Sequence, residues 1–147
     1  MTHVRQSIRD NIVTTVTNLT TTGTRVYRSR LYPMDSQKLP GICVYTKSEQ
    51  SEFATMGSNR TMSRNLRVGI EIYVSALTGY DNSLDDIAAQ IEIALKTDRT
   101  RGGFAKDTRI LGFDANYSGD GETPVATGVI EVEVLYHTKE ATPEVAV

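Results

Sequence analysis

Cysteine occurs once in the 147 residues of this chain, tryptophan not at all, histidine twice and proline four times. A single thiol cannot close an internal disulfide, which excludes a stapled framework and favours a reducing compartment. One cysteine and two distant histidines also fail to supply a zinc site. Cys43 lies in the apolar run Ile42-Cys43-Val44-Tyr45, where a buried, inert thiol is expected. No apolar run approaches the ~18 residues of a spanning helix, and the N-terminus has no apolar signal core. The expectation is a chain made and kept in cytosol, in which the triplets at Asn18, Asn59 and Asn116 carry no glycosylation meaning.

Strong charge of either sign is lacking too. Sixteen Lys and Arg stand against 18 Asp and Glu, a formal net charge of −2 that gives no broad attraction to nucleic acid or anionic membrane. Aromatics make up only 7%, so Arg60, Arg64 and Arg67, the one notable basic cluster, do not resemble a face that stacks single-stranded bases. A solvated surface is the bland reading of that cluster, and a protein contact the functional one.

Catalytic signals are equally sparse. Only His3 and His137 could act as neutral-pH bases, one at a terminus expected to fray and the other on a strand face shared with Glu131 and Glu133. Asp85 and Asp86 are adjacent on a predicted helix, where neighbours point about 100° apart and acids at the first turn serve the helix dipole. Gly102-Gly103 among Arg99, Arg101 and Lys106 lacks the strand–turn–helix order of a phosphate loop. The expectation is no enzyme, no cofactor and no metal.

One segment imitates a metal site. Asp114, Asn116, Ser118, Gly119 and Asp120 have the spacing that opens a calcium-binding loop, but Val125 stands where the closing bidentate glutamate belongs. Val129 to Tyr136 then alternates and is β-branched, a strand where an exit helix is required. A hairpin with an acidic loop is the better reading, with a calcium module or metal-dependent enzyme as the distant alternative.

What is present is periodicity. Val4, Ile8, Ile12, Val16 and Leu19 predict a helix capped by Thr2 and ending by Gly23. Residues 25–29 and 41–46 predict two adjacent strands. The polar stretch Lys47 to Ser63 predicts a long loop whose Phe53 and Met56 invite a partner. From Asn65 the alternation is cleanest, with Leu66, Val68, Ile70, Ile72, Val74 and Ala76 on a core face and Asn65, Arg67, Glu71, Tyr73 and Ser75 on a wet one. Asn82 or Ser83 can cap a second helix with Leu84, Ile87, Ala88, Ile91, Ala94 and Leu95 on its apolar side. Glu131 and Glu133 belong to a wet strand face or pair with arginines across the sheet. The predicted fold class is α+β, a mainly antiparallel or mixed sheet with two main helices packed on one face. Residues 1–139 form a single domain and 140–147 a loose tail.

The opening IRDNIVTTVTNLTTTGTRVYRSRLYP, the strands LPGICVYT and NLRVGIEIYVSA, the helix SLDDIAAQIEIAL and the ending SGDGETPVATGVIEVEVLYHT together resemble the tail terminator family of long-tailed bacteriophages, also called minor tail protein U. The resemblance implies a structural α+β subunit of the virion, assembled in the host cytoplasm into a hexameric ring at the head-proximal end of the tail. Its implied partners are other copies of itself, the tail tube protein and a head–tail connector or head-completion protein. Another neck component, a head-closure or joining protein, is the nearer alternative. No transferable site motif comes with the family. The candidate assembly residues are therefore inferred from the loops alone: Phe53, Met56, Arg60 and Arg64 in the long loop, Asp114, Asp120 and Glu122 in the hairpin loop.

Overall fold

Strand β3, Thr61–Ser75, carries the alternation seen in sequence and forms the middle of the sheet. A computed structural model describes residues 2–28, 40–75, 79–118 and 125–147. Within these the chain runs α1 (Val4–Val16), β1 (Val26–Tyr27), β2 (Gly41–Phe53), β3, α2 (Tyr80–Lys96), β4 (Asp107–Ser118), β5 (Val125–Lys139) and β6 (Thr142–Ala146). The sheet order is β1-β2-β3-β5-β4, with β6 added to one end of β5. Every pair is antiparallel except β1 with β2. The fold is α+β, as its periodicities predict. No described helix is long and apolar enough to cross a membrane.

The core lies between one sheet face and both helices. Leu66, Val68, Ile70, Ile72 and Val74 of β3 and Ala126, Ile130, Val132, Val134 and Tyr136 of β5 meet Val4, Ile8, Ile12 and Val16 of α1 and Leu84, Ile87 and Ile91 of α2. Full burial of each such aliphatic side chain contributes roughly 1.5–3 kcal/mol. The face predicted to be wet is not uniformly so. Glu71 and Tyr73 are buried there, and Tyr73 joins Cys43, Tyr27 and Val125 in a second, small apolar cluster. Alternation locates two faces but does not say how much of the outer one is covered. Ala76 lies outside the described residues.

Local signals set the boundaries differently from the sequence reading in five places. His3, not Thr2, caps α1, its Nδ1 accepting from the Arg5 amide at 3.0 Å. The helix stops at Val16, where Thr14, Thr15 and Thr17 hydroxyls return to carbonyls four residues back, competing with continued helix. Gly79, left-handed at φ 63°, precedes α2, so the helix begins before Asn82 and Ser83. The long polar loop is mostly strand: β2 continues to Phe53 and β3 begins at Thr61, because polar residues of a two-sided arm satisfy the ladder as well as apolar ones. Finally, residues 142–146, expected to be loose, pair with the end of β5 as β6.

Gly69 shows how closely the outer face packs. It stands opposite Tyr45, and a Cβ there would fall 2.6 Å from Tyr45 Cζ. Gly69→Val should lower stability by about 1–3 kcal/mol, read as a shift in the urea midpoint with unchanged slope.

Candidate assembly surface

The β2–β3 hairpin, with β5 alongside, extends past edge strand β4. Edge strand β4 ends level with Leu135, whereas β3 and β5 pair on to Thr61 and Lys139. At the tip, the Ala54 amide donates to Thr61 O at 2.8 Å and the Thr61 amide to Thr55 Oγ1 at 2.8 Å. Gly57, at φ 121°, supplies the backbone conformation the reversal needs. Arg60 stacks its guanidinium 3.7 Å from the Phe53 ring centroid. It also reaches Glu140 at 3.1 Å, while the Arg60 amide donates to the same carboxylate and the Glu140 amide returns to Arg60 O. The Arg60 side chain and amide hold the Glu140 carboxyl below its ordinary pKa. Asn59 Oδ1 accepts from the Ala141 amide at 3.2 Å. The β5–β6 turn thus clamps the hairpin, leaving Phe53 51% and Met56 93% exposed on a braced support.

A polar hub holds the base of this arm. Glu49 accepts from Arg5 at 2.8 and 3.2 Å, from Arg64 at 3.2 Å and from the Tyr136 hydroxyl. Arg64 also donates to Thr138 Oγ1 at 3.1 Å and is only 8% exposed. Burial pushes the Glu49 carboxyl up, but the bonds from Arg5 and Tyr136 and the charges of Arg5 and Arg64 outweigh it and hold the group below its ordinary value. Burial first, then Glu49, raise Tyr136, so its hydroxyl keeps its proton. Burial, then Arg5 and Arg64, depress His3. His3 is therefore an ordered cap in the hub and not a frayed end.

Of the residues inferred from sequence, Phe53, Met56 and Arg60 come together at the tip, while Arg64 turns inward as a strut. Asp114 lies on the exposed run of β4, opposite Val129, and Asp120 and Glu122 lie outside the described residues. Asp114 and Asn116 sit on a regular strand, not in a ligand loop, and among the described residues no three His, Cys, Asp or Glu side chains converge. Glu131 pairs with Arg67 at 3.0 Å and Lys47 at 3.6 Å, and Glu133 with Arg109, the cross-strand pairing that alternation allows. The hub was missed because its members lie far apart in sequence, Arg5 and Glu49 by 44 positions and Glu49 and Tyr136 by 87, with no local spacing to reveal them.

No curated protein sequence matches the chain. Among solved structures it is similar to a chain of the virion of a native gene transfer agent particle, at 16% identity over 90% of this chain and 92% of that one, with a TM-score of 0.41. The family described as phage minor tail protein U matches residues 3–136, from the cap of α1 to the hub tyrosine of β5. By that match, the chain belongs to the phage minor tail protein U family.

Proposed function

We propose that the protein is the tail terminator: copies form a hexameric ring on the last ring of the tail tube, stop its polymerisation and present the surface that receives a head–tail connector or head-completion protein. The ring stands at the head-proximal end of the virion tail and assembles in the host cytoplasm. The observation that carries this reading is the braced hairpin tip. A methionine 93% exposed and a phenylalanine 51% exposed on one braced tip offer apolar surface for a partner to cover. The tip's hydrogen bonds and its clamp at Glu140 order it beforehand, so docking loses little conformational freedom. Such a tip covers a tube ring and leaves no template for the next.

Asp114, with Asp120 and Glu122, adds an acidic contact in this reading, and the ring carries no catalytic group, cofactor or metal. The test is electron microscopy of tails assembled with Phe53→Ala/Met56→Asp. Both residues are exposed, so the variant should fold, and its tails should be overlong. Tails of normal length that fail to join heads would instead identify a connector and overturn the terminator reading.

A further inference from the structure

Strand β4 is a long edge of the described sheet without a covering strand, and residues 109–116 are exposed without a break. Edge strands with free amides and carbonyls recruit further strands unless charge, proline or a bulge prevents it. Strand β4 has no proline; the charges of Asp107, Arg109 and Asp114 and a bulge between Ile110 and Gly112 interrupt it, yet Ile110, Leu111 and Phe113 stay exposed among them. Register with Val132 and Ile130 puts Ile110 and Phe113 on the helix side of the sheet, yet they remain 40% and 42% exposed. Gly128 makes room for the Phe113 ring, since a Cβ there would stand 2.8 Å from it. Between these residues and α2 runs an apolar groove floored by Ala88 and Ile130, with a cavity of about 320 Å³ and an adjoining one of about 270 Å³ that shares Glu92 and Ile110.

We propose that this edge and groove receive the α1–β2 flank of a second copy of this chain, as the head-to-tail joint of the ring; the inference rests on the ring reading above. Three observations select that occupant. Helix α2 carries Asp81, Asp85, Asp86 and Glu92 against a single lysine, Lys96. The opposite flank presents Arg9, reaching over Thr46 of β2, and Arg28, paired with Asp10 on α1, so unlike charges meet when two copies stand side by side. Second, among the described residues β1 covers β2 only at Ile42 and Cys43, which leaves an edge beyond them. Third, each step from β2 through β3 and β5 to β4 is antiparallel, so β2 and β4 run in opposite senses. Two copies in the same orientation therefore join antiparallel, and that unlike-edge contact is the heterologous kind that builds a ring when its rotation closes. A twofold β4–β4 pair would instead bring two acidic α2 helices together. The hairpin tip runs beyond β4, so the joint leaves it free to dock.

The full chain's mass should be followed by light scattering over rising concentration, alone and with tail tube protein. The wild type should reach ring mass, and Ile110→Lys/Phe113→Lys should remain monomeric, with a lowered but still cooperative thermal transition that shows it is folded. Asp85→Lys/Glu92→Lys and Arg9→Glu/Arg28→Glu should each raise the association midpoint at least about tenfold. Mixed, the two should recover ring mass, because each then offers the flank the other lacks. A wild type that is monomeric throughout, a ring formed by Ile110→Lys/Phe113→Lys, or normal assembly by Arg9→Glu/Arg28→Glu overturns the joint. The last result, with a dimer as the end product, assigns the edge to a twofold pair. The joint and the terminator reading fail separately: Phe53→Ala/Met56→Asp should keep the ring and lose length control, whereas the β4 variant should lose both.

Discussion

Glu49→Ala should unfold about 3–5 kcal/mol more easily than the wild type, a fall in Tm of roughly 6–20 °C for a chain of this size. One carboxylate serves Arg5, Arg64 and the Tyr136 hydroxyl, and Arg64 is buried. Truncation therefore leaves the buried Arg64 charge without its counter-ion, with only Thr138 Oγ1 and Met62 Sδ as partners, and takes the acceptor from the Tyr136 hydroxyl. The loss exceeds what a surface pair contributes, about 0–1 kcal/mol, because water cannot replace the partner at Arg64. Urea midpoints give the magnitude. Glu49→Gln separates charge from shape: it keeps the volume and one acceptor oxygen, so it should cost clearly less than alanine. If alanine costs under 1 kcal/mol, the hub is not what secures the arm.

The same residue predicts an acid limb. The folded Glu49 carboxyl has its pKa below the ordinary 4.5, so its contribution is complete above that value and disappears as pH falls through the depressed one. His3 is also depressed, from 6.5, so the unfolded chain takes up that proton first and stability begins to fall below about pH 6.5. Glu49→Gln should flatten the part of the stability profile below pH 4.5 and keep the fall below about pH 6.5, since the Glu49 charge raises the His3 pKa and its loss depresses that group further.

The strength of each sequence signal decided how much of this architecture could be foreseen. Strand β3 and helix α2 were legible because apolar side chains recur at the period of their element, and the core face of β3 follows that period from Leu66 to Val74. The hairpin arm has the sequence of a loop because Lys47 to Ser63 is polar on both sides, and a strand that buries neither face writes no alternation. Exposure of Phe53 and Met56 was legible, since large apolar residues amid polar ones have no local partner. The inward turn of Arg64 was not: it depends on Glu49 and Thr138, 15 and 74 positions away. The β4 edge was hidden for another reason. Its apolar residues look like ordinary core positions, and only the sheet order shows that no described strand follows β4.

Arg101→Ala should cost roughly 3–5 kcal/mol, because it removes the hydrogen bonds of a charged group and leaves a large internal gap. Arg101 is fully buried, although arginine usually keeps its head in water. Its backbone is left-handed at φ 51°, which turns the side chain back under α2, where Nη2 donates to Leu95 O at 2.6 Å and to Asp98 O. These carbonyls lie at the helix end, where acceptors lack intrahelical donors and the dipole favours a cation. Burial pulls the guanidinium pKa down and nearby Asp98 partly restores it, so the charge is retained at a cost that the carbonyl bonds offset. Asp98 also holds the turn itself, accepting from the Thr100 and Gly102 amides at 2.9 and 2.7 Å. Arg101→Lys, with one donor group in place of a fork, should fall between wild type and alanine. Hydrogen exchange should show the last turn of α2 opening first in the alanine variant, while the amides of β3 follow global unfolding. Leu95, Lys96 and Arg99 line one end of the β4 groove, so the same loosening should weaken self-association as well. Phe113→Lys should weaken association without opening the last turn of α2. Loss of stability with no change in α2 exchange would show that Arg101 acts by filling space and not by closing the helix.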